Sequence, residues 1–339
     1  MNEYKEIMKR LEKGPIYLFT VVSGSSLGEK VILQEGEFIS LNSGMDQFWS
    51  AAVMLADLTN CPYQYEAFGE QIFVERMVQE PELVICGGGH ISQELAFMAD
   101  YLEYPYTVMD DREEFANRQR FPKAKECICQ SFKEALEERE FSPNAYYVIV
   151  TRGHSADLEC LELILKRSYG YVGMIGSRNK VKKTMETLKE RGFTQEQLDE
   201  VHAPIGLPIG GETPREIAIS IIAQLIQRKN ADHPASYIEN EMKEALEQEN
   251  ASPRMLLRII GKRGSAPRGI GSRMIVGSEG ILCGTIGGGM IEYKAVEYAV
   301  GMIARGEKLK VGTYRLDTGT AGSLGMWCGG EVDILFETC

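Results

Sequence analysis

The stretch from Pro81 to Lys229 alternates short apolar runs with polar, amphipathic segments, and that alternation admits few folds. The strand candidates are LVIC, YTVMD, KECIC, YYVIVT and YGYVGMIG. Strands joined through helices run parallel, and a parallel sheet needs helices on both faces to bury it. The expected fold class is therefore α/β, with a Rossmann-like parallel sheet over residues 79–230 flanked by smaller α+β domains. Its ligand crevice should open at the carboxyl ends of the strands.

The first strand leads into PELVICGGGHISQELAFMADYLEYPYTVMDDR, which reads as strand, glycine turn, helix and strand. Gly87 and Gly89 fill the first two glycine places of a dinucleotide fingerprint: one permits the turn, the other lets a phosphate approach the helix amides. Ser92 stands at the third. Asp110 or Asp111, about twenty residues on, is placed to accept from a ribose hydroxyl. The bland alternative is a glycine turn kept for packing, with His90 a helix-entry residue rather than a ligand contact. Two later loops follow predicted strands and face the same crevice. TRGHSADLECL offers Thr151, Arg152, His154 and Asp157; GMIGSRNKVKKT offers Gly176, Ser177, Arg178 and Lys180. His154 and Asp157 serve equally well as a proton-transfer pair or as a local cap. In HAPIGLPIGGETPREIA, Thr213 can cap a helix that Pro214 begins. Arg215 there is either an anion contact or the partner of a carboxylate such as Glu212.

Both flanks are strand-prone and rich in glycine. Residues 1–78 hold IYLFTVVS, KVILQEG and EQIFVER, with a helix near Gln47 to Leu58 whose Phe48, Ala51, Ala52 and Leu55 share a face. Residues 231–252 are charged and read as a linker with a solvated helical stretch. Residues 253–339 hold MLLRIIGK, RMIVGSEGILCGTI, KVGTYRL and EVDILFE, with a helix near MIEYKAVEYAVGMIARG. FTVVSGSSLGEKVILQEGEF parallels LRIIGKRGSAPRGIGSRMIVGSEGIL, so the flanks read either as internal copies or as a chance likeness of strand patterns.

A net charge of -12 excludes a general nucleic-acid binder, which needs a basic surface. No apolar run is long enough to cross a bilayer, and the polar start is no signal peptide, so no membrane role is expected. The eight cysteines are scattered, which points to a reducing cytoplasm rather than disulfide staples. Cys127 and Cys129 have no complementary pair to complete a zinc site.

The last region carries the second candidate site. KRGSAPRGIGSR gathers Ser265, Arg268, Ser272 and Arg273 with glycines in a loop that can wrap an oxyanion through amides and guanidiniums. Gly287, Gly288 and Gly289 form another close-approach turn, with Glu292 just beyond. Cys328, between Trp327 and two glycines, is either a reactive or metal-facing thiol or a packed, inert one.

These motifs, taken in order, resemble the XdhC/CoxI family. The resemblance rests on GGGHI, DDREEFANRQRFP, TRGHSAD, YVGMIGSR, HAPIGLPIGGETPREIA, GSAPRGIGSRM, GTIGGGMIE and GMWCGGEVDILFE. It implies an accessory protein for molybdenum hydroxylases of the xanthine dehydrogenase type, which binds molybdenum cofactor, assists its sulfuration and delivers it. It nominates the GSAPRGIGSR loop, Gly287 to Gly289, Glu292 and Cys328, together with Gly87, Gly89, Asp110 and Arg112. Two features depart from the family's pattern. The better-preserved CoxI-like region comes last, and Met290 stands where relatives often have a cysteine, which leaves Cys328 as the candidate thiol facing molybdenum.

The expected function is thus cofactor maturation, with a cysteine desulfurase supplying sulfur and a homodimer covering strand edges. An NAD(P)-dependent oxidoreductase, using the middle glycine turn for NAD(P) or another nucleotide, is the enzyme alternative. A silent assembly scaffold for the hydroxylase is the third. The iron–sulfur motifs of a complete redox enzyme are missing from the sequence.

Overall fold

The computed structural model describes residues 3–42, 46–231, 236–248, 252–264, 268–315 and 330–339. Residues 80–232 form one compact unit, and the two ends of the chain, 1–79 and 233–339, form the other.

The chain begins with α1 (Glu3–Lys13), β1 (Ile16–Ser23), β2 (Lys30–Gln34), β3 (Glu37–Ser40), α2 (Asp46–Met54), β4 (Tyr63–Ala67) and β5 (Glu70–Gln79). The middle unit follows with β6 (Leu83–Cys86), α3 (His90–Tyr101), β7 (Tyr106–Asp110), β8 (Glu126–Cys129), α4 (Phe132–Glu138), β9 (Tyr146–Ile149), α5 (His154–Ile164), β10 (Tyr171–Met174), α6 (Arg178–Glu190), α7 (Gln195–Asp199) and α8 (Pro214–Ala231). The chain then returns to the first unit with β11 (Ser236–Ile238), α9 (Asn240–Glu247), β12 (Met255–Arg263), β13 (Arg273–Gly277), β14 (Gly280–Gly284), α10 (Gly289–Arg305), β15 (Leu309–Arg315) and β16 (Glu331–Thr338).

The middle unit is a parallel sheet in the order β10-β9-β6-β7-β8. Its strands are too short and too apolar to stand alone, and helices bury both faces. Leu95, Ala96 and Ala99 of α3 and Ala218, Ile221 and Leu225 of α8 cover one face. Phe132 and Leu136 of α4, Cys160, Leu161 and Ile164 of α5 and Leu188 of α6 cover the other. Strand order reverses between β6 and β9, so the crevice opens where the glycine turn and the TRGHSAD loop leave the sheet. The α/β expectation and the parallel strands are both as the sequence indicates.

In the terminal unit, both ends of the chain repeat one plan. Helix, three strands, helix and two strands occur in each, and the sheets run β3-β2-β1-β5 with β4 on β5, and β14-β13-β12-β16-β15. The central registers, β1 with β2 and β5, and β12 with β13 and β16, match residue for residue. Leu18 faces Ile32 and Glu75, as Leu256 faces Ile275 and Glu337. Thr20 faces Lys30, as Arg258 faces Arg273. A bulge interrupts both central pairs at the corresponding place, between Val21 and Ser23 and between Ile259 and Gly261. Residues 231–252, expected as a linker with a solvated helical stretch, do contain a helix, α9, but it buries Met242 and Leu246 against the same core as Tyr4, Ile7 and Leu11 of α1, and β11 before it runs parallel to β5. The apolar face of α2 is Trp49, Ala52 and Val53 with Phe48 beside it; Ala51 and Leu55 point outward.

The matched positions meet across the unit in a buried charge cluster. Arg258 bonds Glu75, Glu337 (3.1 Å) and the Thr20 hydroxyl (3.3 Å). Arg273 reaches Glu75 at 2.5 Å and Lys30 reaches Glu337 at 2.8 Å. Each carboxylate of one copy is thus paired with a cation of the other. Burial alone would raise the Glu337 carboxyl, but Lys30 and Arg258 overcome it and hold it at about 2. Burial is likewise outweighed at Glu75, by Arg273 and Arg258, and its carboxyl lies below the usual range.

Desolvating such a cluster is expensive, and removing one member strands the others. Arg258→Met should destabilise the terminal unit by about 3–5 kcal/mol in urea denaturation, leaving two buried carboxylates short of a cation. A depressed carboxyl adds stability that is complete above the unfolded value, 4.5, and is lost as pH falls through about 2. Unfolding free energy measured at stepped pH should therefore decline across that window, and a flat profile would contradict the pairing.

Candidate functional site

The glycine turn after β6 is built as a phosphate cradle but closed by the chain itself. Gly87, with φ 110°, passes so near β9 that a Cβ would sit 2.6 Å from the Val150 carbonyl oxygen. Ser92, fully buried, donates its hydroxyl to the Gly87 carbonyl at 2.5 Å. Gly88 is covered from above: a Cβ there would lie 2.1 Å from the Phe115 carbonyl oxygen, and Arg120 donates to the Gly88 carbonyl at 3.1 Å. Arg112 stacks on the Phe115 ring at 3.6 Å and helps hold that loop down. Gly89 is the N-cap of α3, has no side-chain cap, and faces open space; His90 beside it is exposed.

Asp110 is the largest departure from the sequence expectation. Its carboxylate accepts from the Gly88 amide at 2.8 Å and from Arg112 Nε and NH2 at 2.8 and 3.0 Å. Burial favours the neutral form, yet the Arg112 and Gly88 bonds outweigh it and lower the carboxyl below the usual range. A ribose hydroxyl would have to displace these partners. Asp111 is more exposed and pairs with Arg152 at 3.3 Å. Asp110, Asp111 and Arg112 line one cavity of about 350 Å³ with Arg152, Gly153 and Ser155.

A second cavity of about 480 Å³ is lined by His154, Ser177, Lys180 and Lys183 among others. His154 is exposed at the start of α5. Asp157 does not serve it: fully buried, it accepts from the Thr151 hydroxyl at 2.6 Å and forms an ion pair with Lys180. Gly176 lets the Lys180 stem fold back, since a Cβ there would lie 2.9 Å from it. The two loop motifs are therefore clasped by a buried Asp–Lys pair that spacing alone did not reveal. Ser177 caps α6 through the Lys180 amide at 3.3 Å, and Arg178 is exposed behind it. Thr213 and Glu216 cap α8 reciprocally, and Arg215 pairs with Glu94 at 3.3 Å rather than with Glu212.

The late cluster is likewise divided. Arg273, expected at an anion, is buried against Glu75, and Ser272 carries the backbone turn that feeds β13. Arg268 is exposed in the loop. Glu292 reaches back over the triple glycine: its Oε2 accepts from the Thr285 hydroxyl at 2.5 Å and the amides of Ile286 and Gly288 at 3.0 and 3.1 Å. The Gly287 amide goes to Thr285 at 3.1 Å. Burial opposes the charge on Glu292, but these donors lower its carboxyl below the usual range. It fixes the turn and is engaged there as an acceptor. Gly288 and Gly289 have positive φ, 71° and 64°, and start α10 with no side-chain cap. Beside them lies a cavity of about 400 Å³ lined by Met290, Ile291, Lys294, Thr313, Tyr314 and Arg315. Sequence reasoning missed Lys294 and Tyr314; their only signal is the helical offset of Lys294 from Met290. Ser265 and Cys328 lie outside the described residues. Among the described residues there is no cluster of His, Cys, Asp or Glu suited to a metal, and no helix long and apolar enough to cross a membrane.

The architecture defines a class: a doubly wound domain with a self-closed phosphate turn, inserted in a glycine-rich unit of two like-built halves. Residues 83–225 match the XdhC Rossmann domain, and residues 248–316 match the XdhC and CoxI family. The chain belongs to the XdhC/CoxI family. It is 33% identical over 160 residues to the uncharacterized protein YqeB of Escherichia coli (strain K12), covering 47% of this chain and 29% of that one. It is 28% identical over 158 residues to a protein of Bacillus subtilis (strain 168) described as a probable xanthine dehydrogenase subunit, covering 47% of this chain and 46% of that one. The matches thus span less than half of either relative. A crystal structure of a xanthine dehydrogenase from Bacillus halodurans shares the fold, with a TM-score of 0.53 and 24% identity over 67% of this chain and 66% of that one.

The glycine turn separates a closed cradle from an open one by substitution. Gly88→Ala should cost about 2–3 kcal/mol, because the Phe115 backbone must move, while Gly89→Ala should stay within about 0.5 kcal/mol. Thermal unfolding of the two variants checks this, and equal losses would contradict the closure.

Proposed function

We propose that this protein is an accessory factor in the maturation of a xanthine dehydrogenase-type molybdenum hydroxylase, with molybdenum cofactor as its cargo. The observation that carries the reading is the presence of both family domains in one chain, alongside a relative described as a probable xanthine dehydrogenase subunit. In this reading the protein holds the cofactor during terminal sulfur insertion and passes it to the hydroxylase. Sulfur comes from a cysteine desulfurase.

The donor set near α10 suits such cargo. The cavity beside Met290 has a mixed lining of Met290, Ile291 and the Tyr314 ring with Lys294, Thr313 and Arg315, so a heterocycle bearing an anionic group would meet both apolar and cationic contacts there. Cys328 is the proposed thiol facing molybdenum, since a soft thiolate suits that metal centre and Met290 cannot supply one. We further propose a homodimer: β3 and β14 end their sheets, and end strands present unpaired groups that favour cover. A cytoplasmic setting, where thiols stay reduced, suits this chemistry.

Hydride transfer at the middle turn has weaker support. The Asp110 carboxylate and the Gly88 amide already bind each other, so a dinucleotide would use either of these two groups only by exchanging that bond.

Purification under anaerobic, reducing conditions should yield protein with molybdopterin cofactor bound, and adding it should raise the activity of a cofactor-deficient hydroxylase. Cys328→Ser should lose most of that activation while keeping its unfolding temperature. No saturable binding of intact cofactor, or full activation by the variant, would reject the reading or the thiol's part in it, respectively.

A further inference from the structure

Two motifs of the Rossmann unit, TRGHSAD and GMIGSRNKVKKT, are left without a task by the sites above, and they meet in one groove. Their helices, α5 and α6, follow the neighbouring strands β9 and β10 and pack on the same face of the sheet. At their far ends the helices are tied together, since Arg191, just past α6, pairs with Glu162 of α5. Between their earlier turns they leave the cavity of about 480 Å³. One wall of it is fixed from beneath: Lys180 folds back over Gly176 and pairs with Asp157, which is fully buried.

The lining combines cations with methyl groups. Lys180 is neutralised by Asp157, and among the described residues no carboxylate lines the cavity. The side chains of His154 and Lys183 are exposed and have no hydrogen-bond or ion-pair partner among the described residues. The chain carries 49 acids against 37 lysines and arginines, so a cavity lined by cations and by no acid is opposite in charge to the whole. Because α5 begins without a side-chain cap, the positive end of its dipole adds to the charge beside His154. The remaining wall is apolar. Leu158 lines it from α5, while Thr184 and Thr187 of α6 donate their hydroxyls to the Lys180 and Lys183 carbonyls at 3.0 and 2.9 Å. With the hydroxyls spent on the helix, these two residues offer a ligand their methyl groups.

We infer that the groove between α5 and α6 binds a phosphate monoester with a flat, apolar body. Lys183 and His154 hold the phosphate, and the body lies along Leu158, Thr184 and Thr187. A monoester phosphate carries about −1.5 to −2 charge at pH 7, which two cations and a helix start match better than they match a single carboxylate. A volume of about 480 Å³ suits a ligand of nucleotide size. The groove shares no lining residue with the cavity beside Met290 or with the one at Asp110 and Asp111, and its occupancy does not depend on the maturation role.

The test is titration of the full chain with adenosine monophosphate by calorimetry. One site is expected, weakened about tenfold or more by Lys183→Glu, and adenosine without its phosphate should bind weaker by a similar factor. His154→Asn should weaken the same site, whereas Arg152→Gln, in the cavity beside Asp111, should leave it unchanged. All three positions are exposed, so the variants should keep the unfolding temperature of the unaltered protein. Undetectable binding, equal affinity for adenosine and its monophosphate, or loss of binding at Arg152 with indifference to Lys183 overturns the inference. Hydroxylase activation is a separate readout, so failure of this groove and failure of the maturation role can be told apart.

Discussion

An amide in a tight turn has to donate to something, and here the acceptor is repeatedly a carboxylate of the same chain. Asp110 takes the Gly88 amide, Glu292 takes those of Ile286 and Gly288, Glu70 takes those of Ser25 and Ser26, and Glu216 takes those of Glu212 and Thr213. Leaving such groups unpaired away from water costs about as much as a lost hydrogen bond each. The same glycine-rich turns that promise anion binding in a sequence therefore also promise self-closure. Which outcome holds depends on whether an acid elsewhere in the chain reaches the turn.

The terminal unit shows how such acids are placed. Its halves share register, bulge and element order, and their facing positions are tied by Arg258 between Glu75 and Glu337, with Arg273 and Lys30 outside. A buried network of this kind contributes little net stability but penalises any mismatched pairing. It binds the first 79 residues to the last stretch of chain, although the Rossmann unit separates them in sequence.

Much of the fold was legible. The parallel strands of the middle unit, the entry into α3 and the Thr213 cap of α8 all follow from periodicity, glycine and capping chemistry, which are local. Less visible were β11 and the burial of α9, whose charged surroundings concealed Met242 and Leu246. The union of the two ends was also hidden, because it depends on contacts nearly the whole chain apart. The site divided in the same way. The sequence reading put Asp110 and Arg112 after the second strand, Asp157 in the loop after YYVIV and Arg273 in the late glycine-rich loop, but their partners are set by tertiary packing. Arg273 became a structural cation because Glu75 lies opposite. Asp157 became a clasp because Lys180 folds over Gly176.

Self-occupied cradles should be closed to external anions. Amide nitrogen and proton chemical shifts of the isotopically labelled full chain, followed during a phosphate titration, read this closure directly. The amides of Gly88, Ser26 and Gly288, already held by Asp110, Glu70 and Glu292, are expected to stay unmoved. Saturable movement at Gly88, Ser26 or Gly288 would contradict it.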